Sequence, residues 1–144
     1  MFADLKNYLN RISRIDSTRM WFKVVDKDVK FEVIRLNTDE QLFNKGIDSE
    51  GDSLGDYSEV SVQVYGKRRG HIQLYDEGDF YNSFRVSVTS NEIQIYADDS
   101  SKYDYPLTTI YGEDILGLTD ENMIILVELL KENYLKEINA KLFY

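Results

Sequence analysis

At 144 residues the chain can bury a core without covalent staples, and 42% hydrophobic against 30% charged residues set the expectation of a soluble globular protein. With no cysteine and one histidine, disulfides, thiolate metal sites, cysteine nucleophiles and multi-histidine metal sites are excluded. The net charge of -9 is uneven: residues 1–35 carry eight basic against five acidic side chains, the remainder nine against 21. A chain this acidic is unsuited to sheathing nucleic acid, which needs clustered positive charge.

No apolar run approaches the roughly 20 residues of a membrane span, and Met1–Lys6 lacks the apolar stretch of a secretory signal. The absence of cysteine suits a reducing cytoplasm but is compatible with any compartment. A subunit with a basic end and an acidic face can stack in an assembly. The plainer reading, a basic helix on an acidic domain, is favoured over it.

Phe2, Leu5, Leu9, Ile12 and Ile15 recur at helical spacing and predict a first helix. Trp21 to Phe43 also reads as helical, with Val25, Val29, Val33 and Leu36 as its stripe, although Val29, Phe31 and Val33 alternate as in a strand. Gly46 is expected to end it. Residues 47–57, rich in Gly, Asp and Ser, read as loop. Val60, Val62 and Val64 alternate with Ser61, Gln63 and Tyr65 and predict a strand.

Gly66-Lys67-Arg68-Arg69-Gly70 follows as a solvated turn, and His71 to Tyr75 as a short return strand. Phe84, Val86 and Val88, then Ile93 and Ile95, predict a hairpin turning at Ser90-Asn91. Residues 98–118 read as irregular and aromatic, with Tyr103, Tyr105 and Tyr111 around Pro106. Thr119 should cap a long final helix, with Asp120 and Glu121 in its first turn. Its expected apolar stripe is Met123, Val127, Leu130, Tyr134 and Ile138, supported by Glu132–Lys136 and Glu137–Lys141 pairs. The order predicts one α+β domain over residues 1–144: a helical arm over 1–40, and a core over 41–144 with a small antiparallel sheet packed against helices.

Catalytic templates find little to occupy. His71 has basic neighbours and no orienting carboxylate, so solvated surface is its expected role. Asp48, Glu50, Asp52, Asp56 and Glu59 stand at the first, third, fifth, ninth and twelfth places of an EF-hand-like count. Ser53 stands where that loop needs glycine, and a strand is expected after Glu59, so a solvated loop is favoured and calcium is left open. No phosphate-binding glycine motif or nucleophile elbow is present. Lys67, Arg68 and Arg69 form the one concentrated positive site, suited to an acidic neighbour or to DNA phosphate, with a solvated loop as the favoured reading. The eleven tyrosines suit interfaces or internal packing equally well.

Leu74 to Phe84 resembles the hallmark of tailed-phage virion-morphogenesis and tail-completion proteins. In that family a leucine precedes Asp-Thr-Gly, an apolar residue follows, and a serine stands before an apolar strand. Asp76, Gly78, Phe80, Ser83 and Phe84 take those places, with Glu77 in place of threonine. The physical sense is a turn at Gly78, one helical turn carrying Phe80 inward, and the start of the hairpin at Phe84. Gln41-Leu42-Phe43, Gly46-Ile47-Asp48, Gly51, Leu54-Gly55 and Tyr57-Ser58 are similar to the family's approach to its first strand. Tyr111-Gly112 and Ile115 to Thr119 are similar to the segment before its last helix. The first 40 residues carry no such likeness.

The resemblance implies a non-enzymatic subunit of the head-tail joint, assembling into a ring or collar. Its partners would be copies of itself and other neck, portal or tail proteins, with peripheral DNA contact through Lys67–Arg69. It implies residence in the virion and, during assembly, in the host cytoplasm, without cofactor, metal or membrane. The rival reading is an acidic prophage-encoded adaptor or inhibitor that binds a basic host partner.

Overall fold

The computed structural model describes residues 5–7, 9–10, 16–67, 69–101 and 105–143. Its architecture is α+β: helices surround a two-stranded antiparallel sheet, and a long helix ends the order. The first predicted helix is seen at 5–7 and 9–10, where Leu5 and Leu9 are each 54% exposed. Phe2, Ile12 and Ile15 lie outside the described residues.

The helical reading of Trp21–Phe43 holds, but in pieces. Helix α1 (Ser17–Val24) starts at Asp16, whose carboxylate accepts from the Thr18 and Arg19 amides. Asp26 caps α2 (Lys27–Arg35) in the same way through the Val29 amide. A cap inside a helical run offers the backbone an alternative partner, and the run breaks at Val25-Asp26. Val29 and Val33 are buried while Phe31 between them is 68% exposed, as a helix requires; a strand would put all three on one face.

Beyond Arg35 the bonding widens into a π-helix (Leu36–Lys45). The Thr38 hydroxyl donates to the Ile34 carbonyl at 2.8 Å, the acceptor that an α-helix would give to the Thr38 amide. Five-residue register stacks Leu36 with Gln41 and Asn37 with Leu42, and all four side chains are fully buried. Gly46 ends the helix in the left-handed region, φ 62° and ψ 41°, donating its N–H to the Gln41 carbonyl.

The expected strand over Val60–Val64 is instead α3 (Glu59–Tyr65). The Ser58 hydroxyl accepts the Ser61 amide at 3.1 Å, and Gly66 closes the far end at φ 68°. Alternating valines favour a strand only where another strand pairs with them; here the two caps decide. Val60 and Val64 remain 62% and 68% exposed. Residues 66–70 therefore follow a helix and are not a hairpin tip. His71–Tyr75 makes one isolated bridge, His71 to Asp56, in place of a return strand.

The predicted hairpin is present. Strands β1 (Arg85–Val88) and β2 (Ile93–Tyr96) pair antiparallel, Arg85 opposite Tyr96 and Val88 opposite Ile93. The Thr89 amide donates to the Glu92 carbonyl around Ser90-Asn91, and the Trp21 indole donates to the Thr89 carbonyl at 2.7 Å. A single helical turn precedes the hairpin, and residues 98–118, expected to be irregular, contain two short helical elements. Here α4 is the single turn Asp79–Asn82, α5 is Leu107–Tyr111, and a 3-10 turn spans Glu113–Ile115. Tyr103 lies outside the described residues.

Helix α6 (Asp120–Phe143) begins as expected, the Thr119 hydroxyl accepting the Asn122 amide at 3.2 Å. Leu130, Tyr134 and Ile138 of the predicted stripe are half-buried, but over the first turns the inward face is rotated from it. Asn122 and Leu126 are buried, whereas Met123 and Val127 are 45% and 42% exposed. The rotation follows from polar partners: Asn122 donates to Gln41, and Asn133 donates to the Val24 carbonyl at 3.0 Å. Buried amides must keep such partners, and that requirement overrides the apolar count. Glu137 lies 3.5 Å from Lys23 of α1, an ion pair across elements where an intrahelical partner, Lys141, was expected.

Two apolar clusters result. Leu42, Ile72, Leu74, Phe80, Phe84 and Ile115 form one; Val25, Val29, Val33 and Leu126 form the other. Ile95 of β2 packs against both.

Candidate functional site

The segment singled out in the sequence forms a compact turn on the first cluster. Leu74 is buried with φ 57°, a left-handed conformation costing a non-glycine residue about 1–2 kcal/mol. Gly78 at φ 86° reverses the chain into α4. That single turn carries Phe80 inward, and the Phe80 and Phe84 rings meet edge to face with centroids 5.0 Å apart. The Ser83 hydroxyl donates to the Phe80 carbonyl at 2.6 Å and accepts the Asp98 amide at 2.9 Å, tying α4 to the chain beyond β2. The turn read for Gly78 and the inward packing read for Phe80 and Phe84 are what these residues have: all three build the fold.

Asp76 joins this motif to the basic loop. Lys67 lies 3.3 Å from the Asp76 carboxylate and 5.8 Å from the centre of the Tyr57 ring. Arg69 pairs with Glu59 of α3, and Arg68 lies outside the described residues. Two of the three cations proposed to reach a neighbour are thus engaged within the chain, Lys67 largely covered and Arg69 exposed. Beside them opens a cleft of about 200 Å³, lined among others by Tyr57, Lys67, Asp76, Phe80 and Tyr111.

Tyr81 anchors the same region by donating its hydroxyl to the Gln73 carbonyl. Burial pushes this phenol well above its ordinary range, with Tyr57, Asp39 and Tyr75 adding to the effect.

His71 is not solvated surface. Its Nε2 lies 2.7 Å from the Phe43 carbonyl, to which the Gln73 amide also donates at 3.1 Å. Both contacts satisfy the open carbonyl end of the π-helix. The acidic loop is closed on itself: Asp48 Oδ1 accepts the Glu50 and Asp52 amides at 3.0 and 2.9 Å. A helix does follow Glu59, so the strand-based objection to calcium falls. Glu59, however, is held by Arg69, and among the described residues no three acidic or histidine side chains gather as a metal site needs.

Sequence reasoning missed a buried polar clamp. Asn37 donates to the Ile115 carbonyl and accepts the Gly117 amide, at 3.0 and 2.8 Å. Gln41 donates to the Gly117 carbonyl and accepts from the Thr119 amide and Asn122 Nδ2, each within 2.9 Å. Two amides of the π-helix thereby fix the connection into α6. Their only sequence signal was polarity: Asn37 and Gln41 interrupt an apolar run at helical spacing.

A second unrecognised feature is the outward side of α6, where Ile124 and Leu135 are 65% and 61% exposed. No family model matches the chain, and neither the curated proteins nor the solved structures gave a match.

Proposed function

We propose that the chain is a non-enzymatic structural subunit of the head-tail joint of a tailed bacteriophage. The observation that carries this reading is the segment Leu74–Phe84. Its order of residues resembles the family hallmark, and its fold follows the roles that order implied. Gly78 turns at φ 86°, and Phe80 and Phe84 enter the core.

A function that resides in interfaces also accords with the apolar side chains left outward on α3 and α6. The basic loop would contribute Arg69 at the rim of a contact with a neighbour or with DNA, since Lys67 is committed to Asp76. Portal, neck and tail proteins, with copies of this chain, are the expected partners.

Mass spectrometry of purified virions tests the reading, combined with electron microscopy of the neck. The chain is expected at the copy number of a ring component. Its absence from mature particles would reject the reading and favour an acidic adaptor acting in the host.

A further inference from the structure

The outward side of α6 presents apolar side chains that are left exposed. Ile124, Val127 and Leu135 lie at spacings of three and eight along a 24-residue helix, and all are exposed. Beside this ridge runs an apolar groove of about 380 Å³, between Ile93 and Ile95 of β2 and Met123, Val127 and Leu130 of α6. Scattered exposed leucines need no explanation, but a ridge and groove side by side do.

A matching surface lies at the other end of the chain. Leu5 and Leu9, four apart where the described residues are helical, are each 54% exposed. In the sequence Phe2 and Ile12 continue their spacing. Charge runs in the complementary sense. Residues 1–15 carry three basic side chains against one acidic, whereas Asp120–Phe143 carries five acidic against three basic. Across the whole chain the same division holds, residues 1–35 being net basic and the rest strongly acidic.

From these surfaces we infer that the ridge of α6 docks the N-terminal segment of a second copy of this chain, Leu5 and Leu9 seating against Ile124, Val127 and Leu135. The contact joins unlike surfaces, so each copy keeps a free segment at one end and a free ridge at the other. Repetition then gives a ring where the rotation closes and a filament where it does not. This deepens the assembly reading by naming the partner of one surface, and it rests on that reading only for the expectation that copies associate. Absence from virions would remove the phage role and leave the contact intact.

The test is a mixing experiment on the full chain, read by light scattering and native mass spectrometry. One variant, Leu5→Asp with Leu9→Asp, loses the segment and keeps the ridge. The other, Ile124→Asp with Leu135→Asp, loses the ridge and keeps the segment. All four positions are exposed, so circular dichroism should show both folded. Serine in place of aspartate provides a milder pair should either variant unfold.

Wild type is expected to form oligomers and each variant alone to be monomeric, its association weakened about tenfold or more by a carboxylate in an apolar contact. Mixed, the variants should give a one-to-one heterodimer that grows no further. A wild-type chain that stays monomeric at about 100 µM, where even weak specific contacts register, overturns the inference. So do variants that stay monomeric when mixed, and so does an oligomer that the ridge variant breaks but the segment variant leaves whole, since the ridge would then meet another ridge.

Discussion

At the scale of single residues, two glycines with the same backbone separate conformational cost from steric cost. Gly46 and Gly66 both end helices in the left-handed region, at φ 62° and 68°. A Cβ on Gly66 would meet nothing within 4 Å, whereas on Gly46 it would come within 2.6 Å of the His71 ring. That ring cannot easily withdraw, because its Nε2 is bonded to the Phe43 carbonyl. Gly66→Ala should therefore cost about 1–2 kcal/mol, the left-handed penalty alone. Gly46→Ala should cost about 1–3 kcal/mol more, as overpacking does. Urea unfolding of the two variants checks the difference, and equal losses would mean that His71 moves freely. Tyr81 supplies a pH dependence. Its folded-state pKa is raised above the ordinary value of 10.0, chiefly by burial. The resulting stability is complete below pH 10 and is lost as pH rises through the higher folded value. Tyr81→Phe should lose about 1 kcal/mol at neutral pH with the hydrogen bond to Gln73, and should flatten the alkaline limb of stability against pH. An unchanged limb would assign that limb to other groups.

At the scale of elements, hydrogen-bond partners outweigh hydrophobic pattern in three places, and these are where sequence reasoning failed. Val60–Val64 has the alternation of a strand, but Ser58 and Gly66 cap it as a helix, and among the described residues no strand pairs with it. The inward face of α6 is turned toward Asn122 and Asn133 because their amides reach Gln41 and the Val24 carbonyl. The π-helix has no signal in apolar spacing at all; the Thr38 hydroxyl bonded to Ile34 and the paired burial of Asn37 and Gln41 reveal it. By contrast the β1–β2 hairpin and the Gly78 turn were legible, because both depend on neighbours within a few residues. The clamp gives a direct test of the partner argument. Gln41→Ala would leave the Thr119 amide and the Gly117 carbonyl without their partner and Asn122 Nδ2 with only its 3.4 Å bond to the Leu36 carbonyl, a loss of about 3 kcal/mol or more. Asn122→Ala removes one member of the same network, so the double variant should lose less than the sum of the two single losses. Strict additivity in denaturant unfolding would show that the network does not act as a unit.

At the scale of the whole molecule, the two apolar clusters raise the question of whether the chain folds as one unit. The predicted boundary at residue 40 falls inside the π-helix, whose Asn37 and Gln41 both bond the connection into α6. Residues before that boundary contribute Val25, Val29 and Val33 to the second cluster, and residues after it contribute Leu126. Ile95 packs on both clusters, and the Trp21 indole holds α1 to the hairpin turn. Cutting the chain between the clusters would thus break the clamp, one sheet contact and the cap of α6 together, which favours a single cooperative transition. The only tryptophan, Trp21, packs against the second cluster, while Tyr57, Tyr81 and Tyr111 pack against the first. Trp fluorescence therefore reports chiefly on one cluster, and near-ultraviolet circular dichroism of the tyrosines chiefly on the other. In urea the two signals should change with the same midpoint and the same slope. Gln41→Ala should shift both midpoints together, because the clamp belongs to neither cluster alone. Separate midpoints in wild type would instead assign each cluster its own stability, and the clamp would then be a hinge between two units and not the seam of one.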